Sequence, residues 1–347
     1  MLEEVEKLRK EIDEVDEEIV QLIHRRLEIA KKIGLAKRKI GAPIRDLARE
    51  IEVEDRWIKL SREKNIPEDL AREVARLLIR YSLAVQGTLI TRSRRIALIG
   101  YGAMAKILGE IMKLAGHHVM IGGRDSIKAR NLAEIIGCSY GEPKDIISEG
   151  DYVVLALSRE AFSSGYVDDL AIHMRYKIVM DILSAKTEIY EKMVLSSKKH
   201  RFSYISTHPL FGPTSFPYGE TIVLIPGNSA GEVLEEVVVF WSSIGLVPIV
   251  AGYDEHERAM AVVQVIPHLY MLALSEAIDM LSKRYGIEYR MFMTHNMKKI
   301  DEIIERIRHN IEVVREIQVH NKYASEAREA GVQKLVEIAG MFGGVHK

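Results

Sequence analysis

Arg95-Ile-Ala-Leu-Ile-Gly-Tyr-Gly-Ala-Met-Ala105 decides how this chain is read. The apolar run Ile96 to Ile99 stops abruptly at Gly100. Gly102 and Ala105 follow, and then Ile107, Leu108, Ile111, Met112 and Leu114 recur at helical spacing. A buried strand, a tight turn and a helix N-terminus in that order offer free backbone N–H groups and a positive dipole end to a phosphate. Gly100, Tyr101, Gly102, Ala103 and Met104 are therefore candidate cofactor-binding positions. A glycine fingerprint alone is shared by many unrelated nicotinamide and flavin enzymes, so the chain on either side has to decide the chemistry.

Downstream, a second strand, Val119 to Ile121, runs into Gly122-Gly123-Arg124-Asp125. Folds of this type usually place an acid there for the ribose hydroxyls. Here Arg124 occupies the loop and suits a 2′-phosphate, which favours NADP over NAD. Asp125 is one residue further on and could instead cap the next helix, Ser126 to Ile136. Strands continue at Tyr152–Leu157, ending at Ser158, then at Ile178–Ile182, Phe202–Ser206, Thr221–Ile225 and Val247–Val250. In such sheets the loops at the C-terminal strand ends build the site. Ser158, Ser184, Lys186 and His208 fall in those loops. The pattern predicts a Rossmann-type α/β domain over 94–252. From Asp254 strand signals stop. Helices are expected from Met260 through Ile278, from Met297 to Ile317 and from Ala324 to Met341, giving an all-α domain over 253–347.

Upstream, Leu2, Val5, Leu8, Ile12, Val15, Ile19, Leu22, Ile29, Ile33 and Ala36 recur at three- and four-residue steps. This is one long amphipathic helix, punctuated by Gly41 and Pro43. A second helix is expected from Asp46 to Arg62 and a third from Pro67 to Gly87, so 1–90 reads as an all-α three-helix domain. Three helices cannot bury so long an apolar stripe alone, which implies a partner chain. Arg26 and Lys37 nearly share a face, about 16 Å apart along the axis, and could converge on a small ligand. Arg9 lies about 25 Å from Arg26 on another face and could join them only from a partner's helix. Ser82 and Gln86 are at i, i+4 and face one way. The alternative is a solvated bundle with surface arginines.

Composition narrows the classes. With 49 basic and 50 acidic residues the net charge is −1, which argues against a general nucleic-acid binder. One cysteine, Cys138, excludes an internal disulfide, and no Cys/His metal spacing occurs. No uninterrupted apolar run of about 18 residues is present, so no membrane span is expected. The start, Met-Leu-Glu-Glu, does not fit a signal peptide, and the expected location is cytoplasmic.

Leu8-Arg-x-x-Ile12, Arg26, Gly34-x-Ala36-Lys37, Pro43-Ile-Arg-Asp46-x-x-Arg49-Glu50 and Ser82-x-x-x-Gln86 resemble the all-helical chorismate mutase family. The resemblance implies that Arg26, Lys37 and the partner's Arg9 grip the two carboxylates of chorismate. It places Lys37 and Gln86 at the ether oxygen and Glu50 with the Asp46 region at the ring hydroxyl. Arg49 and Ser82 complete the pocket. Chorismate rearranges to prephenate within one molecule, without a nucleophile. Such a reaction asks for orientation of a dianion and for donors aimed at the breaking ether bond.

His208-Pro-Leu-Phe-Gly-Pro213, Asp181-x-x-Ser184-x-Lys186, Glu255-His256 and Val265-x-Pro267-His268 resemble the prephenate dehydrogenase family, from about residue 95 onward. The resemblance implies that His208 takes the ring-hydroxyl proton as hydride leaves the same carbon. Histidine suits this because its ordinary pKa is near neutrality. Ser184 would orient His208 and the nicotinamide, and Lys186 and His268 would help hold the substrate. A C-terminal arginine would take the ring carboxylate: Arg306, with Arg308 and Arg290 as rivals. The two resemblances support each other, since the product of the first site is the substrate of the second. Together they imply a bifunctional enzyme of tyrosine biosynthesis acting on chorismate and prephenate, at minimum a homodimer. The rival reading is an arogenate dehydrogenase whose N-terminal helices serve only dimerisation or tyrosine sensing.

Overall fold

The computed structural model describes residues 2–40, 46–87, 93–214, 217–228 and 230–343. Gly41, Pro43, Ile44 and Arg45 of the motif quoted above lie outside the described residues.

The chain opens with α1 (Leu2–Lys39), α2 (Leu47–Glu63) and α3 (Glu68–Gly87). Asp46 caps α2 by accepting the Arg49 N–H at 3.1 Å. α3 packs against both α1 and α2. Gly34 lets α1 and α3 approach, since a Cβ there would lie 2.7 Å from the Gln86 carbonyl oxygen. At 1.5 Å per residue α1 is about 57 Å long, and residues 3–25 of it are exposed throughout. That stretch includes Leu8 at 53%, Ile12 at 59% and Val15 at 53% exposure, so the expected apolar stripe is present and is not covered within one chain.

The middle of the chain runs β1 (Arg95–Ile99), α4 (Ala103–Leu114), β2 (His118–Gly122), α5 (Ser126–Ile136), β3 (Ser139–Tyr140), α6 (Pro143–Glu149), β4 (Tyr152–Leu155), α7 (Arg159–Ser163) and α8 (Tyr166–Ala171). It continues with β5 (Ile178–Asp181), α9 (Ile189–His200), β6 (Ser203–Pro209), β7 (Thr221–Pro226), α10 (Leu234–Ser243) and β8 (Val247–Val250). The sheet order is β3-β2-β1-β4-β5-β6-β7-β8. All pairs are parallel except β6 with β7. Helices cover both faces: α4, α5 and α10 on one, α6 to α9 on the other. This is why the central strands are apolar on every residue rather than alternating. The strand order reverses at β1, which puts the crevice for a ligand at its C-terminal end.

The three-helix unit docks on this domain through α3. Gly219 (φ +78°) lies against Leu83 and Arg80, and Gly245 faces both the Tyr218 ring and the α3 backbone at Ala84. A side chain at Gly245 would collide with Tyr218, so the junction needs both glycines.

The last segment is α11 (Tyr253–Met260), a π-helical turn (Ala261–Val265), α12 (Ile266–Tyr285), α13 (His295–His309), α14 (Ile311–His320) and α15 (Ala324–Met341). The Ile266 N–H reaches back five residues to the Ala261 carbonyl. Pro267 follows without an N–H, so the chain relaxes into the wider π turn rather than breaking. The single helix expected from Met297 to Ile317 is instead two. They part at Asn310, whose side-chain amide bonds back to the Arg306 carbonyl at 2.8 Å. Tyr253–Tyr285 is continuous for 33 residues and holds an 18-residue window of mean hydropathy 1.5, of which 17% is buried. By length and composition alone this helix is apolar enough to cross a membrane, the one such helix among the described residues.

Candidate active sites

The first site forms where α1 meets α3. Arg26 is half-buried, and its guanidinium donates to the Leu78 carbonyl at 2.6 Å and to the Ser82 hydroxyl. Among the described residues no carboxylate pairs with Arg26. Burial pulls its pKa down, which is the electrostatic mark of a cation without a counter-charge. Gln86 is 8% exposed, and its Oε1 is buried with no partner among the described residues. Gly34 fixes the Gln86 backbone, and Lys37 is half-buried three residues further along α1. Arg26, Lys37, Ser82 and Gln86 are thus brought to one helix–helix seam. Arg9 is exposed and, among the described residues, pairs only with Glu6 at 2.8 Å on its own helix. Arg49 is exposed and pairs with Glu52 at 2.7 Å, while the Asp46 carboxylate is used as a helix cap. Glu50 lines a cleft of 810 Å³ between α2 and α3, together with Leu47, Ile51, Leu70, Val74 and Leu77.

The second site begins at the glycine turn. Gly100 has φ +142°, and a Cβ there would strike the Ala156 carbonyl, so only glycine fits between β1 and β4. Above Gly102 there is open space, and no side chain caps the first N–H groups of α4. Tyr101 lies over Gly123, and Ala103 and Met104 open the helix. These features fit a dinucleotide whose pyrophosphate sits on the helix N-terminus. Asp125 caps α5 by accepting the Lys128 N–H at 3.0 Å. Arg124 remains largely exposed, 4.0 Å from Glu160 and 5.6 Å over the Tyr166 ring. Ser158 is exposed at the start of α7.

Behind the turn lies a closed polar cluster at the C-terminal ends of β5 and β6. His208 is 1% exposed, and its Nδ1 is 2.9 Å from His256 Nε2. His256 Nδ1 faces Glu257 Oε1 at 3.2 Å, with both side chains fully buried. Burial holds the His208 pKa well below the ordinary histidine value, helped by the charges of His256 and Lys186. Ser184 is half-buried and is not the hydrogen-bond partner of the His208 ring; His256 is.

Lys186 is 1% exposed and donates to Asp181 at 2.8 Å and to the Thr207 carbonyl at 2.7 Å. These two bonds tie β5 to β6 next to His208. Desolvation lowers its pKa and Asp181 opposes that shift.

His268 follows the π turn, half-buried, with Nδ1 unpartnered among the described residues. Burial lowers its pKa. Arg306 is exposed on α13, and among the described residues its guanidinium bonds only to the Glu302 carbonyl at 3.4 Å. Its rivals are committed elsewhere: Arg290 to Asp301 and Glu305, and Arg308 to Asp279 and Glu305. Nothing in one protomer brings Arg306 to His208. Glu257 was absent from the sequence reading, and His256 entered it only as part of a motif.

Residues 8–87 match the family described as chorismate mutase type II. They are also 37% identical, over 86 residues, to the chorismate mutase of Methanocaldococcus jannaschii, covering 87% of that protein and 25% of this chain. The chain belongs to the chorismate mutase family. Residues 95–185, after this mutase domain, match the family described as NADP oxidoreductase coenzyme F420-dependent. A probable arogenate/prephenate dehydrogenase of M. jannaschii is 27% identical over 246 residues, 69% of this chain and 54% of the relative. The chain therefore spans about half the length of that relative. The T-protein of Enterobacter agglomerans is 23% identical over 283 residues, 79% of this chain and 70% of that protein. Among solved structures, the prephenate dehydrogenase of A. aeolicus with hydroxyphenyl propionate and NAD+ superposes with a TM-score of 0.59 at 16% identity. It covers 73% of this chain and 92% of that one. The chain joins a helical mutase domain to a dinucleotide-binding α/β domain and C-terminal helices of the dehydrogenase fold.

Proposed function

We propose that the chain catalyses two consecutive reactions, chorismate to prephenate at the helical seam and oxidative decarboxylation of prephenate beside His208. One observation carries this reading. A half-buried guanidinium without a carboxylate partner and a buried histidine beside a dinucleotide cradle occur on the same chain. Arg26 and Lys37 would hold the substrate dianion in its compact conformer, and Gln86 would face the ether oxygen where charge develops. No residue of this seam has to act as a base.

At the second site the Gly100–Met104 turn and the α4 N-terminus would hold the dinucleotide pyrophosphate. The bound nicotinamide supplies the hydride acceptor. His208 would receive the ring-hydroxyl proton as hydride leaves the same carbon. Loss of carbon dioxide then leaves the ring electrons on that oxygen, and the resulting phenolate takes the proton back. Arg124, with Asp125 committed to the helix cap, supports NADP over NAD. His268 would help hold the substrate. Of the three candidate arginines, Arg306 is the one left without a carboxylate partner among the described residues, and a second copy would have to bring it to the site.

The exposed apolar face of α1 supports a homodimer in which the partner's Arg9 completes each mutase site. Soluble, cytoplasmic operation without nucleic acid fits the balanced charge. Chorismate with NADP+ or NAD+, followed at the absorbance of the reduced cofactor, tests the reading. Reduction should need both domains' chemistry and be faster with NADP+. Reduction with added arogenate, and none with chorismate or prephenate, would replace it with the arogenate alternative.

A further inference from the structure

Glu257 is held from three directions. Its Oε2 accepts the Lys322 backbone N–H at 3.1 Å and the Thr187 hydroxyl at 3.2 Å. Its Oε1 faces His256 Nδ1 at 3.2 Å. The Asn321 amide donates to its carbonyl at 2.8 Å, fixing α11 to the α14–α15 junction. A backbone N–H can only donate, so Oε2 is an acceptor without ambiguity. With a carboxylate at 257, His256 Nδ1 must carry the hydrogen that Oε1 accepts. His256 Nε2 is then bare and accepts from His208 Nδ1, 2.9 Å away. That leaves His208 Nε2 with a free lone pair.

We infer that Glu257 and His256 are positioning residues that set the tautomer of His208, so that its Nε2 is always presented as the base, and that stabilise the imidazolium formed when it is protonated. This rests on the dehydrogenase reading above. The step balances. The ring O–H proton goes to His208 Nε2, the C–H bond breaks with its electron pair to NAD(P)+, and C=O forms. When the C–CO2 bond breaks, the phenolate recovers the proton from Nε2. One hydride and one carbon dioxide leave, with no net proton released, so the protein needs only to hold a proton briefly in a dry site.

The charged and titratable groups facing the pair come from every packed element. Lys186 and Asp181 approach from the end of β5 and its loop, and Tyr253 from α11. Lys186 and Asp181 pair with each other at 2.8 Å and largely cancel. Glu257 is then the anion left to offset a protonated His208. Without it, burial would oppose charging the imidazole at the moment that chemistry requires it.

The test is the order of two substitutions, measured on the full chain with prephenate and NADP+. In E257Q the oxygen must stay on the Lys322 N–H, so the amide NH2 faces His256 Nδ1. Both histidines are then forced into the opposite tautomer and His208 Nε2 is blocked. E257Q should lose about a hundredfold in kcat or more, with KM within about twofold. E257D, shorter but still a carboxylate, should keep more kcat than E257Q. A merely structural glutamate predicts the reverse, because Gln is the isostere. E257D falling below E257Q, or E257Q with wild-type kcat, would overturn the inference. Should both variants melt at low temperature, H256Q decides. It should fold, keep mutase turnover and lose at least about tenfold in dehydrogenase kcat, and wild-type turnover there is the contrary result. Wild-type oxidation by H208A would instead remove the base assignment itself, which keeps the two failures distinct.

Discussion

Arg26 shows what one residue can decide. Its guanidinium is half-buried and, among the described residues, bonded only to a carbonyl and a hydroxyl. Removing it leaves a cavity lined for an anion but without the charge that holds one. Arg26→Ala should lower mutase turnover by at least about a hundredfold while prephenate oxidation changes by less than about twofold. Coupled assays started from chorismate and from prephenate check this, and equal loss of both activities would contradict two separate sites. At this scale the sequence was legible where a local pattern dictates geometry: the glycine turn ahead of α4, and the i, i+4 spacing that turns Ser82 and Gln86 toward α1. It was not legible where burial and pairing depend on the packed fold. Lys186 carries a motif position, yet nothing in that motif tells that it lies 1% exposed against Asp181. Glu257 and His208 are joined only through His256 across 48 residues of chain, which no local pattern encodes.

Among the elements, α1 is the one that its own chain leaves uncovered. Periodicity gave its length and its apolar face, because a 3.6-residue repeat is written in the sequence. The π turn at Ala261–Val265 and the break at Asn310 were not readable, since both are compromises between a continuous apolar pattern and local backbone constraints. Ile12 is 59% exposed in the middle of the uncovered face. If the proposed homodimer packs through this face, Ile12→Glu should shift the protein from dimer to monomer in light scattering. It should also depress mutase turnover about tenfold or more, because Arg9 would no longer reach a neighbour's site. A dimer of unchanged stability with full mutase activity would show that another surface holds the copies together.

For the whole molecule, buried histidines set the response to acid. Burial pulls His117 down to about 4, holds His208 well below the usual value and lowers His256 and His268. Each is neutral when folded at a pH where the unfolded side chain, with a pKa of about 6.5, takes up a proton. The unfolded state therefore binds more protons below that point, and stability falls with decreasing pH. The window runs from about 6.5 down to about 4 for His117. The melting temperature should drop by several degrees between about pH 7.5 and 5.5, and a flat or rising value by circular dichroism would show that other groups dominate. The junction at Tyr218, Gly219 and Gly245 has a different consequence. α3 carries Ser82 and Gln86 toward one site, while Leu83 lies against Gly219 on the loop that continues from His208 and Ala84 against Gly245 in the turn before β8. One helix is thus a party wall between two workshops. Cutting the chain between them would nick the backbone without setting either half free.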